Sequence, residues 1–309
     1  VARSREINMT QFNLDSKGLM AALCAAATWG MAGIFIRWLP GWSPFAILAG
    51  RFLISTVVML PILLLAPNIR HNLTRSLRTL PIWWLSLPPI GGYVLGTTAL
   101  QMAPVGEVTL LFTTSPLFII AYKYVAGLHI QRSESFGMFV AMAGVSAIAL
   151  PQLSINRATS WQTLLGYLLA LAAAGLVAIY TFWFNQLAHQ NIAPKSIDIV
   201  FVTCLLGSVL SLLCTILFSN LSIGMKIDSQ VILVLSGLAI LSTALPFLCY
   251  TVAAQRLPVV MTTAILLLEP MFAVLFASIA LQEIPSFWFG IGSILVLWGL
   301  LSIARATAE

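Results

Sequence analysis

Ten stretches of mostly apolar residues, each about twenty long, follow one another along this chain, and few charges interrupt them. They run over 18–39, 43–66, 82–102, 105–125, 133–151, 162–188, 196–219, 231–255, 258–280 and 286–304. About twenty apolar residues is the length a helix needs to cross the hydrocarbon core of a bilayer. Hydrocarbon offers no hydrogen-bond partners, so a crossing segment must satisfy its own backbone, and a helix does so within one stretch. The pattern therefore predicts an all-α polytopic membrane protein with ten transmembrane helices. Composition agrees: 8% of residues are charged and mean hydropathy is +1.00, whereas a soluble domain carries about 25% charged residues. So few charges could not cover a water-facing surface.

The net charge of +6 sits mainly in the connections. With the N-terminus inside, Lys17, Arg70, Arg75, Arg78, Lys123, Arg132, Lys195, Arg256 and Arg305 share the cytoplasmic side. Arg37, Arg157 and Lys226 fall on the other. This bias predicts an N-in, C-in topology in a bacterial-type inner (plasma) membrane. It also explains the basic balance without nucleic acid as a partner. Cys24, Cys204, Cys214 and Cys249 lie singly in apolar stretches and read as core residues, not as a metal site or disulfide frame. His71, His129 and His189 stand near span ends. No cofactor is expected.

The chain also repeats itself. Residues 99–116 read ALQMAPVGEVTLLFTTSP and residues 253–270 read AAQRLPVVMTTAILLLEP. Ala99, Gln101, Pro104, Val105 and Pro116 recur as Ala253, Gln255, Pro258, Val259 and Pro270, each 154 positions on (253 − 99). One residue out of step, an F-G pair at Gly137 recurs at Gly290. The expected organisation is a tail (1–17), a first half (18–151), a linker (152–161), a second half (162–304) and a short tail (305–309). Each half holds five spans. An odd number reverses direction, so the halves must be related by a pseudo-two-fold axis in the membrane plane. This is a 5+5 inverted-topology repeat, an arrangement that secondary transporters use.

Ten spans, this repeat, Pro44 to Arg51 in span 2 and L-E-P ending at Pro270 in span 9 resemble the EamA-type branch of the drug/metabolite transporter superfamily. Within it the chain is most similar to the aromatic amino-acid exporters. The resemblance covers about 18–304 and implies export of small organic metabolites, amino acids among them. The first half departs from it in one place, reading S-P at Pro116 where the second reads E-P.

Several residues could carry transport. Pro116 and Pro270 stand in mid-span, where each frees the carbonyl four residues back. Freed carbonyls at membrane depth need a partner or a wet cavity, so spans 4 and 9 are expected to bend around a central path. Arg51 and Glu269 are the deepest charges. Each costs at least ~2.5–3.5 kcal/mol near the bilayer centre unless paired. They could pair with each other, directly or by hydrogen bonds to backbone, or one could touch substrate, for example Arg51 on a carboxylate; structural stabilisation is the favoured role for Arg51. Glu107 and Lys123 lie nearer span ends, where they would snorkel, and Asp198 at the start of span 7 suits a helix N-terminus. Trp29, Tyr93, Tyr180, Trp183 and Tyr250 are candidates for a pocket wall, because each pairs a flat apolar face with one polar handle. For any one of them core packing or lipid contact is the simpler reading; it is as a group that they point to an organic substrate. Gly91 and Gly92, after Pro88 and Pro89, form a candidate hinge in span 3. The small residues of span 1, Gly30 and Gly33 among them, are expected to face those of span 6.

An aromatic path with few charges suits an amphipathic organic solute better than an inorganic ion. The sparse titratable inventory favours facilitated diffusion over proton coupling. The alternatives are a carrier of the same fold for a drug, a sugar conjugate or a vitamin precursor and, less favoured because it would not need the symmetric mid-span prolines, a membrane scaffold that transports nothing. An enzyme is disfavoured, since clustered polar residues at span depth are missing. The expected partners are a small-molecule substrate and membrane lipid, with the chain as a monomer or weak dimer.

Overall fold

The computed structural model describes residues 15–39, 41–65, 67–103, 105–127, 130–149, 160–218, 228–282 and 286–308. Most of the expected tail and linker, Pro104, Arg157 and Lys226 lie outside them. Every element among the described residues is helical. In the first half these are α1 (Ser16–Gly30), α2 (Ala32–Arg37), α3 (Pro44–Leu65), α4 (Pro67–Leu77), α5 (Leu80–Met102), α6 (Val105–Phe112), α7 (Ser115–Val125) and α8 (Arg132–Ala149). The second half holds α9 (Trp161–His189), α10 (Ser196–Phe218), α11 (Ser229–Ala239), α12 (Leu245–Arg256), α13 (Val259–Ile265), α14 (Glu269–Leu281) and α15 (Phe287–Ala308). A π-helical turn, Ile240–Ala244, joins α11 to α12, and a 3₁₀ turn, Leu266–Leu268, joins α13 to α14.

Among the described residues, 8 helical segments are long and apolar enough to cross a membrane. The other two expected spans fall on α5 and α8. Prolines and glycines dilute the apolar character of α5, and α8 opens with Arg132 and Glu134. The outward faces are apolar: Leu65 is 82% exposed and Val125 85%. Surface of that kind belongs against lipid. The chain is a multi-pass integral membrane protein.

Local chemistry starts several of these helices. Asp15 caps α1 through the Lys17 amide, Ser160 caps α9 through Thr163, and Asp228 caps α11 through Val231. Each side-chain oxygen takes one of the amides that a helix start leaves unpaired.

The closest helix pairs all join one half to the other: α8 with α15, α3 with α10, α5 with α9 and α1 with α12. In span order these are 5 with 10, 2 with 7, 3 with 6 and 1 with 8. Exchanging the halves maps this set onto itself, as a pseudo-two-fold relation requires. The α8–α15 pair shows the reversed direction directly. A methyl on Gly137 would stand 2.6 Å from the Gly299 carbonyl oxygen, and one on Gly144 would stand 2.6 Å from that of Gly292. Ascending numbers on one helix meet descending numbers on the other, so these equivalent helices run antiparallel, with backbones touching where no side chain intervenes.

The small residues of span 1 do not face span 6. Gly30 packs instead on α14, where an added methyl would lie 2.9 Å from the Ala273 amide nitrogen. In span 6, Ala173 and Leu176 receive Gly92 and Gly91 of α5. The small residues of spans 1 and 6 thus meet partners in the opposite half rather than each other.

Polar pairs tie the helix ends. Lys123 Nζ reaches Glu134 Oε1 at 2.7 Å, and Tyr167 donates to Glu107, so neither charge simply snorkels. Asp198, in the first turn of α10, accepts from Ser76 of α4 at 2.7 Å.

Arg256 Nη1 donates to Asp15 Oδ2 at 2.7 Å, linking the end of α12 to the start of α1. This bond, then the Lys17 amide, holds the Asp15 carboxyl below its ordinary value of 3.8. A carboxyl depressed on folding stabilises the fold above its unfolded pKa and loses that contribution as pH falls through its folded one. Asp15→Asn keeps the cap but loses the charge. Its thermal midpoint should therefore lie slightly below the wild type's at pH 7, with the gap closing below pH 3.8. A gap that persists in acid would assign the difference to something other than the ion pair.

Candidate functional site

Four of the spans are broken helices. Span 1 breaks at Met31 between α1 and α2. Span 4 breaks after Phe112, and α7 restarts with Pro116 in its first turn. Span 9 breaks at the 3₁₀ turn, and α14 restarts with Glu269 and Pro270. Both mid-span prolines therefore sit just past a break, as a missing N–H requires. Thr113 and Thr114 bond back to the carbonyls of Leu110 and Leu111, which helps satisfy the interrupted backbone of span 4. The fourth break is the π turn of span 8.

The π turn accounts for Arg51. Pro246 has no N–H, so the Ser242 carbonyl four residues back loses its helical partner. Arg51 Nη2 donates to that carbonyl at 2.8 Å, and Arg51 Nε donates to Thr243 Oγ1 at 2.8 Å. Nearby, Ser55 Oγ donates to the Ala239 carbonyl at 2.8 Å, and Ser242 Oγ donates to the Thr28 carbonyl at 3.1 Å. Helices α1 and α3 thus clamp the irregular turn of the opposite half. Arg51 is only 5% exposed, and its guanidinium lies 4.7 Å from the centroid of the Tyr93 ring.

From Tyr93 the aromatic residues continue. Trp29 Nε1 donates to the Tyr93 hydroxyl at 3.1 Å, and the Trp29 ring lies 5.3 Å from that of Tyr250. Tyr250 is stacked on Tyr180 at 6.4 Å. Their hydroxyls are satisfied across the α9–α12 seam: Tyr180 with Thr251 at 2.9 Å, Tyr250 with Thr181 at 2.5 Å. Asn185 extends the seam by donating to the Ala254 and Leu257 carbonyls. Tyr180 and Tyr250 are fully enclosed, whereas Trp29 and Tyr93 keep partly accessible surface.

Four of the five aromatic candidates therefore meet in one cluster, beside Arg51. Trp183 does not join them. It is 39% exposed and packs edge-on against Trp84 at 4.8 Å. Arg51 and Glu269 do not pair with each other. Glu269 sits against α1, where a methyl on Gly30 would stand 3.0 Å from the Glu269 carbonyl oxygen, and Tyr93 is within coulombic reach of both charges. Helix α5 runs unbroken through Pro88, Pro89, Gly91 and Gly92. Gly91 is tight against Leu176, while Gly92 has room. Sequence reading missed the π turn with its Ser242 and Thr243, and Thr251 of α12. Pro246 inside span 8, followed four residues on by Tyr250, is the signal that could have found them.

A family model for the EamA-like transporter family matches residues 16–150 and again 164–305. The chain belongs to the EamA-like transporter family. The two matched segments coincide with the two repeats, and the family consists of membrane transporters of small solutes rather than enzymes. Among solved structures, a crystal structure of a protein at 21% identity superposes with a TM-score of 0.80 over 95% of this chain and 98% of its own. No curated protein matches. That likeness is one of fold alone, and it leaves the cargo to the chemistry of the cluster.

Proposed function

We propose that this EamA-type protein is a secondary carrier that exports small organic metabolites, amino acids including aromatic ones, by alternating access across a bacterial-type inner membrane. Ten crossings, with α5 and α8 as the third and fifth, and both termini inside suit the positive-inside distribution. The observation that carries the reading is the convergence of broken helices from both halves on one aromatic cluster holding Arg51, Trp29, Tyr93 and Tyr250. Broken helices at the repeat interface are where transporters of this kind bind cargo. Flat aromatic faces suit a planar apolar side chain. Pro116 and Pro270, beside the breaks, are the proposed bending points, and Gly91 with Gly92 lets α5 slide on α9. The carrier works as a monomer or weak dimer, without a cofactor.

With Glu269 the one carboxylate among the described residues at the cluster, the sparse titratable inventory favours facilitated diffusion of a zwitterion down its gradient over proton coupling. Purified protein in proteoliposomes is expected to take up tryptophan saturably, with phenylalanine competing and an imposed pH gradient left intact. Uptake that scales linearly with tryptophan, or that dissipates the pH gradient in fixed ratio, would overturn this reading.

A further inference from the structure

Two ionisable groups approach the cluster, and their situations differ. Arg51 is fully engaged. Its Nε and Nη2 hold Thr243 and the Ser242 carbonyl, its flat face lies on Tyr93, and it is sealed from the interior space. A substrate carboxylate could reach it only by dismantling the π-turn junction. Glu269 is the reverse case. It is enclosed at depth, yet its residue keeps accessible surface. Among the described residues it has no hydrogen bond and no ion pair, and its oxygens are not among the sealed, unsatisfied atoms. A carboxylate held at depth that keeps some accessible surface and has no partner among the described residues is a receptor for a cation.

The surroundings define which cation. Gly30 lets α1 lie directly on the Glu269 backbone, which places the adjoining Trp29 and its partner Tyr93 near Glu269. Phe272 follows Glu269 on α14 and stacks on Phe276 at 6.2 Å. No second carboxylate among the described residues gathers there, and no group of three metal-ligating side chains exists among them. One negative charge among aromatic rings fits an organic ammonium, which gains a charge-assisted hydrogen bond and ring faces together. It fits a divalent metal poorly, since Ca2+ or Mg2+ needs six or more oxygen ligands and Zn2+ three or four protein side chains.

We infer that Glu269 is the specificity-determining residue of the carrier, binding the ammonium group of the substrate, and that Arg51 is a positioning residue that never meets the substrate carboxylate. The inference rests on the transport reading for its biological meaning. It predicts selection for the amine: aryl-alkyl amines bind, and carboxylates of the same shape do not.

The test uses two probes of matched shape, 2-phenylethylamine and 3-phenylpropionate, on the purified full chain in detergent, read as ligand-induced thermal stabilisation. The amine should stabilise the wild type saturably and the carboxylate should not. Glu269→Gln should raise the half-saturating amine concentration at least about tenfold, the loss of one charge-assisted contact. Equal stabilisation by both probes, selective stabilisation by phenylpropionate, or no response to the amine would overturn the inference. So would an unchanged amine response in Glu269→Gln. If that variant does not fold, the wild-type comparison still decides. Because binding is read without vesicles, absence of amino-acid flux in proteoliposomes would overturn the cargo reading while leaving amine recognition in place.

Discussion

Replacing Arg51 with leucine is expected to lower stability by about 3 kcal/mol and to reduce transport by at least an order of magnitude. Arg51 donates two hydrogen bonds at 2.8 Å to the π turn and lies on Tyr93. Hydrogen bonds to a charged group contribute about 1.5–3 kcal/mol in water-soluble proteins, and polar contacts between membrane helices average about 0.6 kcal/mol. A desolvated cation–π contact adds about 2 kcal/mol. Against these stands the desolvation of the guanidinium, which leucine would relieve. The deciding point is Ser242. Pro246 has already removed its helical partner, so without Arg51 its carbonyl is left unmet at membrane depth. Lysine keeps the charge but cannot offer two donors in one plane, so Arg51→Lys should recover less than half of the lost stability. Thermal unfolding followed by size-exclusion chromatography reads the effect. A midpoint unchanged in Arg51→Leu would mean that the clamp does not hold the turn.

The α8–α15 crossing gives the second large effect, and here the same kind of substitution takes opposite signs at different glycines. A methyl on Gly144 meets the Gly292 carbonyl oxygen at 2.6 Å and the Val296 amide nitrogen at 2.7 Å. Both obstacles are backbone, so no rotamer change makes room, and the helices must part. Overpacking of this kind costs about 1–3 kcal/mol or more, and parting the pair also forfeits the contacts along its length. Gly144→Val should leave little folded protein. Gly33 and Gly290 are helical as well, but an added methyl there meets nothing within 4 Å. Alanine at either should stabilise by about 0.5–1 kcal/mol, because glycine is a poor helix former. Equal tolerance at Gly144 and Gly290, measured as folded yield and thermal midpoint, would contradict the antiparallel contact.

Helical architecture was readable from the chain because bilayer thickness leaves little choice of length and hydrocarbon leaves little choice of backbone. The repeat was readable because Pro104, Gln101 and Pro116 recur at one spacing. The breaks at Pro116 and Pro270 were readable because a missing N–H is a local fact. Helix pairing was not. Which faces of two greasy helices meet depends on packing shape, so Gly30 was placed against span 6 when it meets Ala273 of α14. The partner of Arg51 was also hidden. It is a carbonyl that Pro246 releases nearly two hundred positions away, in a π turn whose local sign in the sequence is Pro246 itself. Trp183 shows the limit for aromatics, since its type suits both a pocket wall and the outer face against Trp84 that it occupies.

Alternating access by the two interleaved halves is tested most directly by counterflow. Proteoliposomes are loaded with unlabelled tryptophan and diluted into a trace of labelled tryptophan with no other gradient imposed. A carrier that exposes its site to one side at a time exchanges label for unlabelled cargo, so label should rise transiently above its external concentration and then decline. Label that only approaches the external concentration, with no overshoot, would contradict alternating access.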